Sequence, residues 1–472
     1  MLGKVFKAYD IRSTYPDPLN EDLAWQIGLG CAEFLLGEAA ADGQTTPMMQ
    51  NLVVGHDMRT SSPSLRDALT QGIIDGGGHV IDVGMVDTPF VYFAINHLRC
   101  AGGIQVTASH NPPQYNGFKI SRRLAKPVGE TNGLADIRKA AALSDLRNRG
   151  NKTGRVDRKD LWDAYRKHVM RFCNTGGQQL KVVVDASNGM AGTMVPKLFG
   201  AKGFDVDGLE IIELYFDNSK GEFVHEPNPL VPGNLVDLQK RVTETGADLG
   251  ICFDGDADRL MVVDEKGGIV GCDLLTALIA KSFLKDNPGA AVVYDLRSSK
   301  ALQEDIVKAG GKPVRGRVGH VFMKAALAEH QAVFGGELSG HFYFRDNFNA
   351  DSGAIAMAVV LTLAAEIKKS GKTISQMIAP IARFAQSGER NFENEDKDLT
   401  IEELKETYED RGTIDELDGV TIDCFETEGW WCNVRKSNTE PLLRLNLEAR
   451  TPDLCNRMLE EIAAMLGEPV VH

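Results

Sequence analysis

Three stretches of the chain repeat one order of apolar and polar positions. Each opens with a β-branched apolar run ending in Asp and passes through a turn of small or polar residues. An amphipathic segment of helical spacing follows, and the unit closes on glycine and a second apolar run. The first unit is Leu52-Val-Val-Gly-His-Asp57, Arg59-Thr-Ser-Ser, a helix from about Pro63 to Asp75, then Gly76-Gly-Gly-His-Val80-Ile-Asp-Val. The second is Val182-Val-Val-Asp185, Ser187-Asn-Gly, a helix to about Phe199, then a strand from Gly203-Phe-Asp-Val. The third is Val292-Val-Tyr-Asp295, Arg297-Ser-Ser, a helix to about Ala309, then Gly310-Gly-Lys-Pro-Val314. Strands alternating with helices of this length predict βαβ units whose helices cover the sheets, hence three related α/β domains. The last hundred or so residues alternate with period two, in Thr421-Ile-Asp-Cys-Phe and Leu442-Leu-Arg-Leu-Asn-Leu-Glu-Ala, before an amphipathic helix from about Pro452 to Leu466. That pattern predicts a smaller α+β domain with an antiparallel sheet. Polar stretches at Ser144 to Lys159 and Lys368 to Lys372 help place the boundaries, giving domains at 1–154, 155–264, 265–372 and 373–472.

Composition narrows the classes. In 472 residues, 43% are hydrophobic and 25% charged, close to the globular average, which excludes a disordered chain or a fibre. No run reaches the ~18 consecutive apolar residues of a membrane helix, and the first ten residues lack a secretory apolar stretch, so the expected compartment is the cytoplasm. The balance of 52 basic against 66 acidic residues gives −14. Nucleic acid and anionic membranes are disfavoured as partners, and an anionic ligand needs a local positive pocket. Eight cysteines without a C-x-x-C pair read as buried free thiols in a reducing compartment, not as a zinc or redox site.

Four loops carry chemistry. Asp254-Gly-Asp-Ala-Asp-Arg259 lies between two apolar runs, Leu249-Gly-Ile-Cys-Phe and Leu260-Met-Val-Val. Carboxylates at i, i+2 and i+4 of a tight loop can converge on one hard divalent cation. The spacing imitates an EF-hand, even to Glu265, but Arg259 stands where that loop needs glycine and the flanks are strands. A magnesium site fits better, with Arg259 free to neutralise an acid or reach a phosphate. Thr107-Ala-Ser-His-Asn-Pro-Pro113 follows the Gly102 to Val106 strand, and its prolines fix a turn that presents Ser109 as a nucleophile or phosphate carrier, with Lys119 close behind. Gly335-Gly-Glu-Leu-Ser-Gly-His341 places Glu337 and Ser339 two apart in an extended loop, on one side, a pairing that suits adjacent sugar hydroxyls. His320 is a weaker candidate on its own. Arg435-Lys-Ser-Asn-Thr-Glu-Pro441 gathers a guanidinium, two hydroxyls and an amide, the makings of a phosphate cradle that matches no Walker loop.

Taken in order, T-A-S-H-N-P, D-G-D-A-D-R, G-E-L-S-G-H and R-K-S-N-T-E-P resemble the motifs of the α-D-phosphohexomutase superfamily, and the resemblance spans the chain. It implies three α/β domains and a C-terminal α+β domain around a central cleft. It also implies that Ser109 carries a phosphoryl group, with Mg²⁺ held by Asp254, Asp256, Asp258 and a phosphoserine oxygen. Ser109 then phosphorylates a hexose monophosphate to a 1,6-bisphosphate, which turns over and returns its other phosphate, and a hexose 1,6-bisphosphate serves as activator. By match to Ala8-Tyr-Asp-Ile-Arg12, Tyr9 and Arg12 line the site. Arg435, Ser437, Asn438 and Thr439 hold the nonreacting phosphate, Glu337 and Ser339 the sugar, and Lys119, His320 and His341 are the candidate proton carriers beside Arg259.

Leu338 and Asn438 resemble the bacterial phosphomannomutase/phosphoglucomutase branch, where phosphoglucosamine mutases usually show glutamine and glycine. Val318 and Arg297, in place of a common threonine and lysine, leave the preference between mannose and glucose open. The alternatives are a phosphoglucosamine mutase, a phosphoserine-dependent sugar phosphatase and a noncatalytic sugar-phosphate sensor. The expected partner is a hexose phosphate, and the expected assembly a monomer or small homo-oligomer.

Overall fold

The β-branched run of the first repeat becomes the strand Asn51–His56, buried at every position, because its neighbours pair with it on both edges and helices cover both faces. The computed structural model describes residues 2–7, 9–151, 154–437 and 441–470. They form two compact units, one of residues 1–271 with 339–375, the other of 272–338 with 376–472.

In the first unit, Asn51–His56 is parallel to His79–Met85 and Gly102–Val106, while Tyr115–Arg122 runs antiparallel to Gly102–Val106 and pairs with Ile11–Thr14. The helices Glu21–Ala41 and Ser62–Asp75 meet backbone to backbone. A Cβ added at Gly72 would stand 2.0 Å from the Trp25 carbonyl oxygen, so only glycine permits that approach. The second repeat centres on Leu180–Asp185, parallel to Leu209–Leu214 and Leu249–Phe253. Here the expected strand at Gly203 is corrected. Lys202 and Gly203 take left-handed conformations (φ +53° and +81°), which an extended chain cannot hold, and the strand starts only at Leu209. Leu260–Asp264 folds back antiparallel on Leu249–Phe253 with Leu260 opposite Phe253, leaving Asp254–Arg259 as the loop between them. The unit's returning segment contributes the strands Phe342–Phe344 and Ala350–Asp351 and the helix Gly353–Lys369, whose Ile355 amide donates to Ser352 Oγ at 3.1 Å.

The second unit holds the third repeat, with Ala291–Asp295 between parallel Lys312–Gly316 and Phe334–Gly336. It also holds a six-stranded antiparallel sheet in which Val420–Cys424, Trp430–Lys436, Leu442–Ala449 and Ala385–Glu393 are successive neighbours. The amphipathic helix occupies Pro452–Leu466, as its spacing predicts, and its Cys455, Met458, Ile462 and Leu466 join the core of that sheet. Three mixed α/β domains and a C-terminal α+β domain are thus present. All eight cysteines are free thiols; seven are buried and Cys173 is half-buried. Among the described residues no helix is long and apolar enough to cross a membrane.

Candidate active site

Ser109 sits just beyond the strand Gly102–Val106 with φ +51°, a left-handed conformation costly for any residue with a Cβ. Several bonds hold it there. Its amide donates to Thr107 Oγ1 (2.9 Å), and Arg12 Nη1 donates to Asn111 Oδ1 in the same loop (2.6 Å). The largest restraint is Arg59, whose side chain has no exposure. Its Nε donates to Asp57 Oδ2 at 3.1 Å. Nη1 serves the carbonyls of Pro112 and Tyr115 at 2.7 and 3.1 Å, and Nη2 those of Ser109 and Asn111 at 2.9 and 2.6 Å. All five guanidinium N–H groups are used, four of them on the backbone that presents the serine. The Ser109 hydroxyl points out of this frame and donates to Asp254 Oδ2 at 2.8 Å, with His110 Nδ1 3.3 Å away. Burial, followed by the charges of Arg259, Arg12 and Lys119, keeps His110 well below the usual histidine range, hence neutral near pH 7.

Gly255 explains how the acidic loop comes so close. A Cβ there would stand 2.3 Å from the Ser109 carbonyl oxygen. The carboxylates of Asp254, Asp256 and Asp258 are buried, with ligand oxygens within 4.8 Å of one another. Lys119 Nζ bridges Asp256 Oδ2 (2.7 Å) and Asp258 Oδ2 (2.5 Å), and Thr88 Oγ1 donates to Asp256 Oδ2. Burial and the charges of Asp258 and Asp256 push Asp254 well above the ordinary carboxyl range. At Asp258 burial works in the same direction, but Lys119, His341 and Arg259 outweigh it and hold the group low. Burial opposes the charge on Lys119 too, yet the three aspartates raise it, so the amine stays protonated. Among the described residues Asp256 Oδ1 and Asp258 Oδ1 are buried and accept no hydrogen bond, with Arg259 Nε and His341 Nδ1 no nearer to Asp258 Oδ1 than 3.9 and 3.8 Å. Two orphaned carboxylate oxygens beside a third acid and a serine oxygen fit a hard divalent cation such as Mg²⁺.

Arg259 Nε donates to His341 Nε2 at 3.0 Å. An accepting Nε2 leaves the ring proton on Nδ1, which lies 2.9 Å from Asp351 Oδ2. Ser109, Lys119, the three aspartates, Arg259, His341 and Arg12 therefore lie in one unit, and a chain of contacts links Asp351 through His341 and Arg259 to the acidic loop. Ser339 lies in a turn of the same unit, and Tyr9 just before the strand Ile11–Thr14.

The remaining candidates belong to the second unit. Arg297 grips Asp295 through Nε (3.1 Å) and Nη2 (2.9 Å) and reaches Glu389 Oε2 through Nη1 (3.2 Å). Glu337 is buried and accepts from the Gly319 amide at 2.8 Å. The Leu338 amide donates to Asp295 Oδ2 at 2.8 Å, and the chain turns at Leu338 and Ser339 instead of running extended, which corrects the expected extended loop. His320 opens the helix His320–Glu329. Arg435 is the last residue but one of the strand Trp430–Lys436, with Nη2 3.3 Å from Glu389 Oε2, while its buried Nε has no acceptor among the described residues. Ser437 is buried, its amide donating to Leu442 O at 2.8 Å. Asn438 and Thr439 lie outside the described residues.

Models of the phosphoglucomutase/phosphomannomutase alpha/beta/alpha domains I, II and III match residues 3–142, 163–268 and 272–384, and that of the C-terminal domain matches 390–465. The chain belongs to the phosphoglucomutase/phosphomannomutase family. Among relatives of this family, the phosphomannomutase of Escherichia coli K12 is 37% identical over 453 residues, 94% of each chain. The protein named phosphohexose mutases from Xanthomonas campestris pv. campestris strain ATCC 33913 is 39% identical over 454 residues, 95% of this chain and 96% of that one. A phosphoglucomutase/phosphomannomutase family protein from Burkholderia thailandensis superposes with a TM-score of 0.84 at 31% identity, covering 98% of this chain and 96% of that one.

Several residues that shape this phosphoglucomutase/phosphomannomutase site escape the sequence reading. Arg59, Thr88, His110, Asp351 and Glu389 all touch candidate residues. The sequence carries one signal for Arg59: Asp57-x-Arg59 repeats as Asp295-x-Arg297.

Proposed function

We propose that this chain interconverts hexose 1-phosphate and hexose 6-phosphate, of mannose, glucose or both, with Ser109 as the phosphoryl carrier. The observation that carries the reading is the 2.8 Å contact of Ser109 Oγ with Asp254 inside a buried three-aspartate cluster flanked by Lys119 and Arg259. In the first half-reaction the Ser109 Oγ–phosphorus bond breaks and a bond from phosphorus to the free sugar hydroxyl forms. The hydroxyl loses a proton and Ser109 regains one. The second half-reaction reverses these changes at the other phosphate, so the net result is isomerisation. Asp254, Asp256, Asp258 and a serine-borne oxygen would hold Mg²⁺, which neutralises charge on the transferring phosphoryl oxygens. Lys119 and Arg259 add positive charge to the same place. Lys119 stays charged and so acts as a cation, while His341 would take up a proton at Nε2 only on giving up the bond it accepts there from Arg259.

Arg435, Ser437, Asn438 and Thr439 are assigned to the nonreacting phosphate, and Glu337, Ser339, Arg297, Tyr9 and Arg12 to the sugar and its phosphates. Leu338 and Asn438 favour neutral hexoses over glucosamine. The test is kcat/KM for mannose 1-phosphate, glucose 1-phosphate and glucosamine 1-phosphate, side by side, with Mg²⁺ and a hexose 1,6-bisphosphate primer. Efficient turnover of the first two and little of the third is expected. A preference for glucosamine 1-phosphate would overturn the sugar assignment, and no isomerisation of any of them would overturn the enzyme reading.

A further inference from the structure

The C-terminal sheet has one apolar and one polar face. In three adjacent strands, Asn391 stands opposite Arg444, Glu389 opposite Asn446, Arg435 opposite Arg444 and Asn433 opposite Asn446, so these six side chains share a face. Phe392, Val434, Leu443 and Leu445, on the other face, form the core. A register shift between Gln386 and Glu389, with Gly388 at φ +67°, brings Glu389 onto the polar side.

There Glu389 faces three guanidinium groups at once. Oε2 accepts from Arg297 Nη1 (3.2 Å), Arg435 Nη2 (3.3 Å) and Asn446 Nδ2 (3.5 Å), and Oε1 from Arg444 Nη1 (3.4 Å). Every one of these contacts is longer than the ~2.7–2.9 Å of a tight charge-assisted bond, whereas Arg297 holds Asp295 at 2.9 Å with a second donor at 3.1 Å. Glu389 is shared loosely, its side chain is 29% exposed, and among the described residues the buried Nε of Arg435 has no acceptor. Such a cluster is built for an anion with more oxygens than one carboxylate.

We infer that Glu389 is an exchange anion for the phosphate cradle: it occupies the Arg297, Arg435 and Arg444 cluster when no phosphate is bound, yields when one enters and returns when it leaves. This rests on the assignment of Arg435 to phosphate binding given above. The reaction supplies the reason. The nonreacting phosphate must be released and its partner captured once in each turnover, so a cradle with undiluted positive charge would hold the bisphosphate too long. A resident carboxylate lowers the net charge met by the leaving phosphate and re-neutralises the guanidiniums after it has gone.

Calorimetric titration of inorganic phosphate into the full chain tests this, using wild type, Glu389→Gln, Glu389→Ala and Arg435→Ala. Both Glu389 variants should bind phosphate about three- to tenfold more tightly, since one nearby negative charge at a partly solvated site is removed. In turnover, Glu389→Gln should lower KM for hexose 1-phosphate while kcat stays level or falls. Unchanged or weaker phosphate binding in either Glu389 variant would overturn the exchange role, and so would an unchanged or raised KM in Glu389→Gln. Arg435→Ala separates the two claims. If it weakens phosphate binding, the cradle stands whatever Glu389 does; if it does not, the cradle assignment fails and the exchange role with it.

Discussion

Asp57-x-Arg59 and Asp295-x-Arg297 occupy the same place in two repeats, at the end of a central parallel strand, and each aspartate accepts from the amide and the Nε of its arginine. Their fates differ. Arg59 is completely buried and binds four carbonyls of the Ser109 loop, whereas the Arg297 side chain is 11% exposed and turns Nη1 toward Glu389, whose side chain is 29% exposed. Local sequence fixes the strand-end turn and the first ion pair. Whether the arginine then braces backbone carbonyls or meets a second carboxylate depends on what a distant part of the chain brings to it.

Replacing each arginine is the most direct way to break that comparison. Arg59→Ala leaves Asp57 and four loop carbonyls short of a donor, and a broken buried pair costs about 3–5 kcal/mol. Denaturant unfolding should show a loss of that size, and the molecules that fold should have a much reduced kcat because Ser109 loses its frame. Arg297→Ala should cost less, about 1–3 kcal/mol, because one buried acid loses a partner while keeping two backbone donors. Its main effect should be a raised KM for hexose phosphate. Equal losses of stability in the two variants would erase the distinction.

Thr88→Val sharpens the scaffold side. It removes a donor from Asp256, and partners of a metal ligand of this kind are worth ~10–100-fold in affinity or activity, so the Mg²⁺ concentration for half-maximal turnover should rise by at least about tenfold. An unchanged Mg²⁺ requirement would remove Asp256 from the proposed ligand set.

The smallest effect concerns the first unit's buried acids. Burial pushes Asp87 up to about 7, against the donated bond of Tyr165. A carboxyl whose folded value lies above its unfolded value contributes stability below about 4 that is lost as pH rises toward 7. Unfolding at pH 5 and 8 should therefore show a smaller loss of stability on raising the pH in Asp87→Asn than in wild type. Asp295 in the second unit has the opposite sign, since Arg297 outweighs burial and holds it low, so its contribution persists at neutral pH and is lost only in acid.

The same contrast explains what the sequence made legible. The acidic loop was readable because three carboxylates at alternate positions between two paired strands must crowd together, whatever lies elsewhere. The C-terminal helix was readable from its spacing alone. Arg59 and Glu389 were not, because their partners come from far along the chain: Arg59 to Ser109, Glu389 to Arg297 and Arg435. The misplaced strand near Gly203 has another cause, since a left-handed turn leaves little trace in a pattern of hydropathy.

The central claim is that Ser109 is the phosphoryl carrier. It is tested most directly by incubating the protein with a hexose 1,6-bisphosphate labelled in its phosphates and locating the label by peptide mass spectrometry. Label on Ser109, lost again on adding hexose monophosphate and absent from a folded, inactive Ser109→Ala, is the expected result. Label on another residue, or normal isomerisation by Ser109→Ala, would contradict it.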